Sequence, residues 1–287
     1  MQRRHFLFAA TAAMAPLQAA RLPIRKGVYA AMLPKDLSWA DRFKLARDVG
    51  FEQVECATAV DDAEAQQILE ASKGSGLRVH SVMNSAHGKY SFSSPDPAVV
   101  AAGMKGLETS LRNARLWGSD TVLLVPGFVT ADVGYRDCWV RSQREIKRIL
   151  PLAAELKVVI AVENVGNRFL LSPLEFAQYV DEFASPWLRA YFDVGNVIRW
   201  GFPQDWIRTL GKRIVKLHLK DPSARQAPGP PPPNRAPLLE GDVDWRAVHK
   251  ALTEIGYSGS ATVELPGGDA EYLRDVVRRV DKILAGM

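Results

Sequence analysis

The chain has 287 residues, a formal net charge of +5, two cysteines and 47% apolar residues. That length is ample for a large buried core, and two cysteines in so long a chain exclude a disulfide framework. The basic surplus includes Arg3 and Arg4 near the N-terminus, so nothing resembles the concentrated basic patch of a nucleic-acid binder.

Residues 1–20 read as an export signal. Arg3-Arg4-His5-Phe6-Leu7 is followed by an Ala-rich apolar run and then Pro16-Leu17-Gln18-Ala19-Ala20. This is the charged, apolar, small-residue layout of a secretory leader, and paired arginines point to the twin-arginine route and a periplasmic protein. The apolar run is too short for a bilayer span, which needs about 20 residues, so no stable membrane insertion is expected after cleavage. Removing 20 of the 287 residues leaves 267, and loss of Arg3 and Arg4 lowers the net charge to +3. The remaining 21–287 suits one α/β barrel, typically about 250 residues.

In chain order, a strand is predicted over 27–32 and a helix from Ser38, a good N-cap residue, to 49. Strand two covers 52–56, with a helix over 62–72. Strand three covers 77–83, with a helix over 96–117. Strand four covers 121–126, with a helix over 136–156. Strand five covers 158–163, and Ser172-Pro173 opens its helix with an N-cap and a first-turn proline. Strand six covers 188–193 and its helix 204–210. Strand seven covers 214–219, and its helix, 245–255, follows a long Pro-rich loop over 222–237. That loop contains four consecutive prolines, which favour a stiff polyproline stretch; a rim over the site and a plain surface insertion both fit it. Strand eight covers 260–264, and a helix over 270–284 ends the chain. Gly50, Gly76, Gly118 and Gly256 stand where helices should stop. Eight strand–helix units in strict alternation are best satisfied by a closed parallel (β/α)8 barrel, which leaves no sheet edge. Cys56 and Cys138 are expected to be unpaired thiols.

Such a barrel places its chemistry at the C-terminal ends of its strands. Glu163, Asp193, His218 and Glu264 arrive there from strands five, six, seven and eight. A lone carboxylate or imidazole at a strand end is ordinary. Four on successive strands converge, and three carboxylates in one pocket repel unless a cation joins them. The donor set is hard to borderline and suits Mn²⁺ first, with Mg²⁺, Co²⁺ or Zn²⁺ as alternatives. Asn196, Lys220, His87 and Glu55 are candidates for substrate contact, and a rim or supporting role fits each of them at least as well. Asp221 is placed to orient a neighbour, Trp200 and Phe202 to stack on a sugar or pack in the core, and His249 lies away from the mouth.

Val162-Glu163-Asn164, Phe192-Asp193-Val194-Gly195-Asn196, His218-Leu219-Lys220-Asp221 and the run from Glu240 through Asp244-Trp245 and Gly256-Tyr257 to Glu264, in that order, resemble the xylose isomerase-like TIM-barrel family of sugar isomerases and epimerases, in particular its ketose 3-epimerase branch. The resemblance implies that Glu163, Asp193, His218 and Glu264 bind one divalent metal and that Glu163 and Glu264 act as acid and base. It also implies proton transfer through an enediolate on a small sugar. Asn196 stands where many sugar epimerases of the family have histidine, which leaves the substrate open. Export favours an unphosphorylated ketose or keto-glycoside. A lyase or dehydratase acting on a keto-sugar would use the same metal site. A non-catalytic sugar-binding protein, or a phosphodiesterase like the family's apurinic-site endonucleases, fits less well. The latter need a histidine-rich trinuclear zinc site, whereas only His80, His87, His218 and His249 remain after the leader. Exposed helices of such barrels often pair, so a homodimer is compatible with the sequence.

Overall fold

The computed structural model describes residues 20–223 and 236–287. Residues 1–19, which carry nearly all of the expected export signal, and 224–235, most of the Pro-rich loop, lie outside the described residues. Among the described residues no helix is long and apolar enough to cross a membrane.

Eight parallel strands close in the order β1 to β8, with β8 pairing back onto β1. The strands are β1 Arg25–Tyr29, β2 Gln53–Ala57, β3 Arg78–Met83, β4 Thr121–Leu124, β5 Val159–Glu163, β6 Leu188–Asp193, β7 Ile214–Leu219 and β8 Ser260–Val263. The intervening helices are α1 Trp39–Val49, α2 Asp62–Ser75, α3 Pro97–Trp117, α4 Tyr135–Leu156, α5 Pro173–Asp181, α6 Pro203–Leu210, α7 Trp245–Glu254 and α8 Ala270–Leu284. This is a single (β/α)8 barrel.

Local chemistry explains most boundaries. Ser38, Asp61, Asp96, Ser172, Asp244 and Asp269 each accept a backbone N–H of the helix they open. Gly50 closes α1 at φ 108°, a left-handed conformation that glycine adopts without steric cost. Two strands end at least two residues earlier than the sequence suggests. β1 ends at Tyr29 and continues as a 3-10 turn, Ala30–Met32, because its ladders to β2 and β8 run out there. β4 stops at Leu124, before Pro126, which has no N–H to donate.

The helices bury one stripe each against the barrel. In α8 the stripe is Leu273, Val276, Val277, Val280, Ile283 and Leu284, the i, i+3, i+4 spacing of an amphipathic helix. Leu22 and Ile24 pack into the same core, and Leu22 N–H donates to the Leu284 carbonyl at 2.8 Å, tying the start of the described chain to its end. Cys56 and Cys138 are buried free thiols.

Candidate metal centre

Glu163 and Asp193 are the last residues of β5 and β6, His218 is the penultimate residue of β7, and Glu264 is the first residue beyond β8. One ligand atom from each lies within 4.8 Å of all the others. His218 Nδ1 is 2.9 Å from Glu163 Oε1, 3.1 Å from Glu264 Oε2 and 3.9 Å from Asp193 Oδ2. Lys220 Nζ pairs with Asp193 Oδ2 at 2.8 Å and with Glu264 Oε2 at 2.7 Å.

Backbone clamps hold the ligands. Asn164 accepts the Asp193 N–H and donates to the Asp193 carbonyl, both at 2.9 Å. The Asn196 N–H donates to Asp193 Oδ1 at 2.8 Å, and its side-chain amide donates to the Asn164 carbonyl at 2.9 Å. Asn196 therefore braces the ends of β5 and β6, and its NH2 group is committed to the backbone instead of reaching into the mouth. Gly195 makes this closeness possible: a Cβ there would meet Lys220 Cβ at 2.7 Å and the Lys220 carbonyl at 2.8 Å.

The set fits a divalent cation. Asp193 Oδ2 is fully buried and accepts no well-directed hydrogen bond, with the Lys220 ammonium at 2.8 Å and the His218 imidazole at 3.9 Å. Buried acceptors are rarely left so, and three carboxylates with one imidazole are a hard to borderline donor set. Glu163, Asp193, His218 and Glu264 thus form a candidate divalent-metal site.

Electrostatics separate the two glutamates. Burial pushes Glu163 up, Glu264 adds repulsion, and His218 and Lys220 oppose the shift without cancelling it. Burial also acts on Glu264, but His218 and Lys220 outweigh it and hold that carboxyl well below the usual range. Burial would lower His218, yet Glu55, Glu264 and Glu163 hold it well above the ordinary imidazole range. Lys220 is held up in spite of burial by Asp193 and Glu264.

The softer candidates fall in different places. His87 is half-buried within reach of the Glu264 charge: Val125 N–H donates to its Nδ1 at 3.2 Å, and burial depresses it to about 4. Glu55 is not on the rim. It is completely buried beneath His218, its Oε1 2.8 Å from Nε2, with Tyr191 and Ser81 on its other oxygen. Both of its oxygens are enclosed, which suits the supporting role better than substrate contact. Trp200 and Phe202 are exposed, 42% and 71%, so core packing does not account for them. Asp221 accepts N–H groups from Leu239 and Val243 and the Trp245 indole, and so anchors the returning end of the β7–α7 loop. Sequence reasoning missed Tyr29. Its phenol ends β1, feels both Glu55 and Glu264, and is pushed up to about 12 mainly by burial, so it stays protonated.

The comparisons agree with this geometry. The family described as "Xylose isomerase-like TIM barrel" matches residues 43–283. The putative L-ribulose-5-phosphate 3-epimerase SgbU of Escherichia coli K12 is 32% identical, covering 83% of this chain and 87% of its own. The L-ribulose-5-phosphate 3-epimerase UlaE of Escherichia coli O1:K1 is 27% identical, covering 88% and 93%. Among solved structures, 3-keto-D-glucoside 4-epimerase YcjR from E. coli superposes with a TM-score of 0.76 at 15% identity, over 89% of this chain and 98% of that one. A D-tagatose 3-epimerase-like protein gives 0.77 at 17% identity, over 91% and 98%. With the barrel, the strand-end ligand set and these relatives together, the chain belongs to the xylose isomerase-like TIM barrel family and is an enzyme of the epimerase kind.

Proposed function

We propose that the protein is a divalent-metal-dependent sugar epimerase that inverts a carbon next to a ketone by proton transfer through an enediolate. The observation that carries this is the pair Glu163 and Glu264. Both carboxyls reach the same imidazole nitrogen and belong to one four-residue cluster at the strand ends. Two carboxyls that converge in this way can serve as acid and base in one pocket. One removes the proton from one side of the carbon, and the other returns one from the other side. In this reading Lys220 and His87 donate to substrate oxygens. A divalent cation, Mn²⁺ by preference, held by Glu163, Asp193, His218 and Glu264, supplies Lewis-acid polarisation of the ketone.

An unphosphorylated ketose or keto-glycoside is the proposed substrate, with export to the periplasm as the proposed setting. TIM barrels often bind phosphate near strands seven and eight, at a helix N-terminus. Here the N-terminus of α8 is already filled by Asp269, whose carboxylate accepts the Tyr272 N–H at 2.9 Å and would repel a phosphate.

The test is proton NMR in D₂O with Mg²⁺-loaded protein and a panel of free ketoses, keto-glycosides and L-ribulose 5-phosphate. Deuterium entering at C3 of a free ketose, with loss of that exchange in Glu163→Gln and Glu264→Gln, is the expected result. Deuterium at C1 would instead mean an aldose–ketose isomerase. Loss of water from the sugar would mean a dehydratase. Full activity in either glutamine variant would refute the acid–base assignment.

A further inference from the structure

The barrel interior one layer below the ligands is polar. TIM barrels usually fill this space with branched apolar side chains. Here it holds Glu55 from β2, Ser81 and His80 from β3, Tyr191 from β6 and Thr262 from β8, all buried. Glu55 Oε2 accepts from the Tyr191 hydroxyl at 2.6 Å and from the Ser81 hydroxyl. Tyr191 makes a longer 3.4 Å contact with Thr262 Oγ1, which lies 2.7 Å from His80 Nε2. Gly27 leaves room for that last pair, since a Cβ there would meet Thr262 Oγ1 at 2.9 Å. A carboxylate sealed inside a barrel is costly unless it is hydrogen-bonded and faces a cation or a polarised N–H. Glu55 meets that condition at one place, its 2.8 Å contact with His218 Nε2.

We infer that Glu55 is a positioning residue that hydrogen-bonds Nε2 of His218, keeps Nδ1 facing Glu163, Asp193 and Glu264, and so sets how tightly this site binds a divalent cation; Tyr191 and Ser81 hold Glu55 in place for that task. The two imidazole nitrogens are distinct, and the partner of one decides what the other can do. Nε2 points down to Glu55 while Nδ1 points up into the carboxylate cluster. The Tyr191 ring packs against the imidazole, with centroids 4.5 Å apart, and limits rotation about the side chain. The fixed charge below the ring also makes Nδ1 a stronger donor. Such outer partners of metal-binding histidines are worth about 10–100-fold in metal affinity.

This inference rests on the metal reading above, so its test separates the two. Mn²⁺ binding to the metal-stripped full chain is measured by titration calorimetry for the wild type, Glu55→Gln and Tyr191→Phe, with circular dichroism as a check on folding. The visible spectrum of the Co²⁺-loaded proteins is recorded alongside. The expected result is about 10–100-fold weaker Mn²⁺ binding in Glu55→Gln, a smaller loss in Tyr191→Phe and a shifted Co²⁺ spectrum in both. A purely space-filling role for Glu55 would leave the affinity and the spectrum unchanged, and either variant folded with the wild-type Kd overturns the inference. Should Glu55→Gln fail to fold, Tyr191→Phe decides by the same criterion. A wild type that binds neither Mn²⁺ nor Co²⁺ would instead bring down the metal reading itself, and the inference with it.

Discussion

The two ends of the barrel both carry buried charge, but they are arranged differently. At the base, Lys216 pairs with Asp120 at 2.8 Å and Arg78 reaches the same carboxylate at 2.7 Å. Lys26 and Arg21 share Asp281 in the same way, at 3.0 and 3.3 Å. There the shielded partners are the lysines, and the acids remain half in water, 47% for Asp120 and 44% for Asp281. At the mouth the acids are shielded along with the bases. Glu55 and Asp193 are completely buried and Glu163 nearly so, while Lys220 and His218 are the basic groups among them. Four acids against at most two cations is an arrangement that stability alone would not favour. A solvated pair locks the base, whereas an acid-rich cluster at the mouth stores affinity for an added cation.

The largest contrast should appear on adding metal. Mn²⁺ at about 100 times its Kd should stabilise the wild type by about 2.7 kcal/mol, or roughly 5–10 °C in a barrel of this size. Asp193→Ala should lose most of that rise, because it removes a ligand whose Oδ2 has no other well-directed partner. Lys216→Met, at the other end, should keep all of it. Thermal melts with and without Mn²⁺ decide the matter, and an equal rise in both variants would erase the distinction between the two ends.

Next in size is Gly195→Ala. Its Cβ would press on Lys220 Cβ, the Lys220 carbonyl and Pro222 Cδ, all at 2.7–2.8 Å. Overpacking of this kind costs about 1–3 kcal/mol. It should also lower turnover, because it separates Asp193 from Lys220. Urea denaturation and steady-state kinetics should show both effects. Asp221→Asn should follow with about 1–3 kcal/mol, since an amide cannot accept from Leu239, Val243 and the Trp245 indole together. Proteolysis of the loop stem around Leu239 should accelerate in this variant, and an unchanged cleavage rate would remove Asp221 as the anchor.

How much of this was legible in the sequence follows from the range of each signal. Glu163, Asp193 and Glu264 each end an apolar run, and His218 comes one residue before the end of one, so a local pattern placed all four. Strand order needed only the strict alternation of strands and helices. Glu55 also lies near the end of a strand, yet it sits a layer deeper. Its depth depends on the tilt of the whole barrel and on the irregular register between Val54 and Glu55 against β3, and neither is encoded locally. The brace made by Asn196 was hidden for a related reason: its side chain turns back to the Asn164 carbonyl at the end of a neighbouring strand, a contact between segments 32 residues apart. Tyr29 closes an apolar strand like many core tyrosines, and only the assembled mouth sets it beside Glu264.

The smallest effect lies at the base and is a matter of pH. Burial alone would raise Asp120, but Lys216, Thr121 and Arg78 outweigh it and hold the carboxyl at about 2, against an ordinary value of 3.8. A carboxyl depressed in the folded state contributes stability above its unfolded pKa and loses it as pH falls through the folded value. Asp120→Asn should therefore be less stable than the wild type at neutral pH, and the difference should shrink between about pH 4 and pH 2 and vanish below. Because the carboxylate is 47% exposed, solvent screens the pair, and about 0–1 kcal/mol is the size expected. Burial lowers Lys216 itself, and Asp120 opposes that shift. Urea melts of both proteins from pH 2 to pH 7 measure the gap. A gap that is flat across this range would mean that Asp120 contributes by packing or hydrogen bonding alone, and the base would then not be held by charge in the way its geometry indicates.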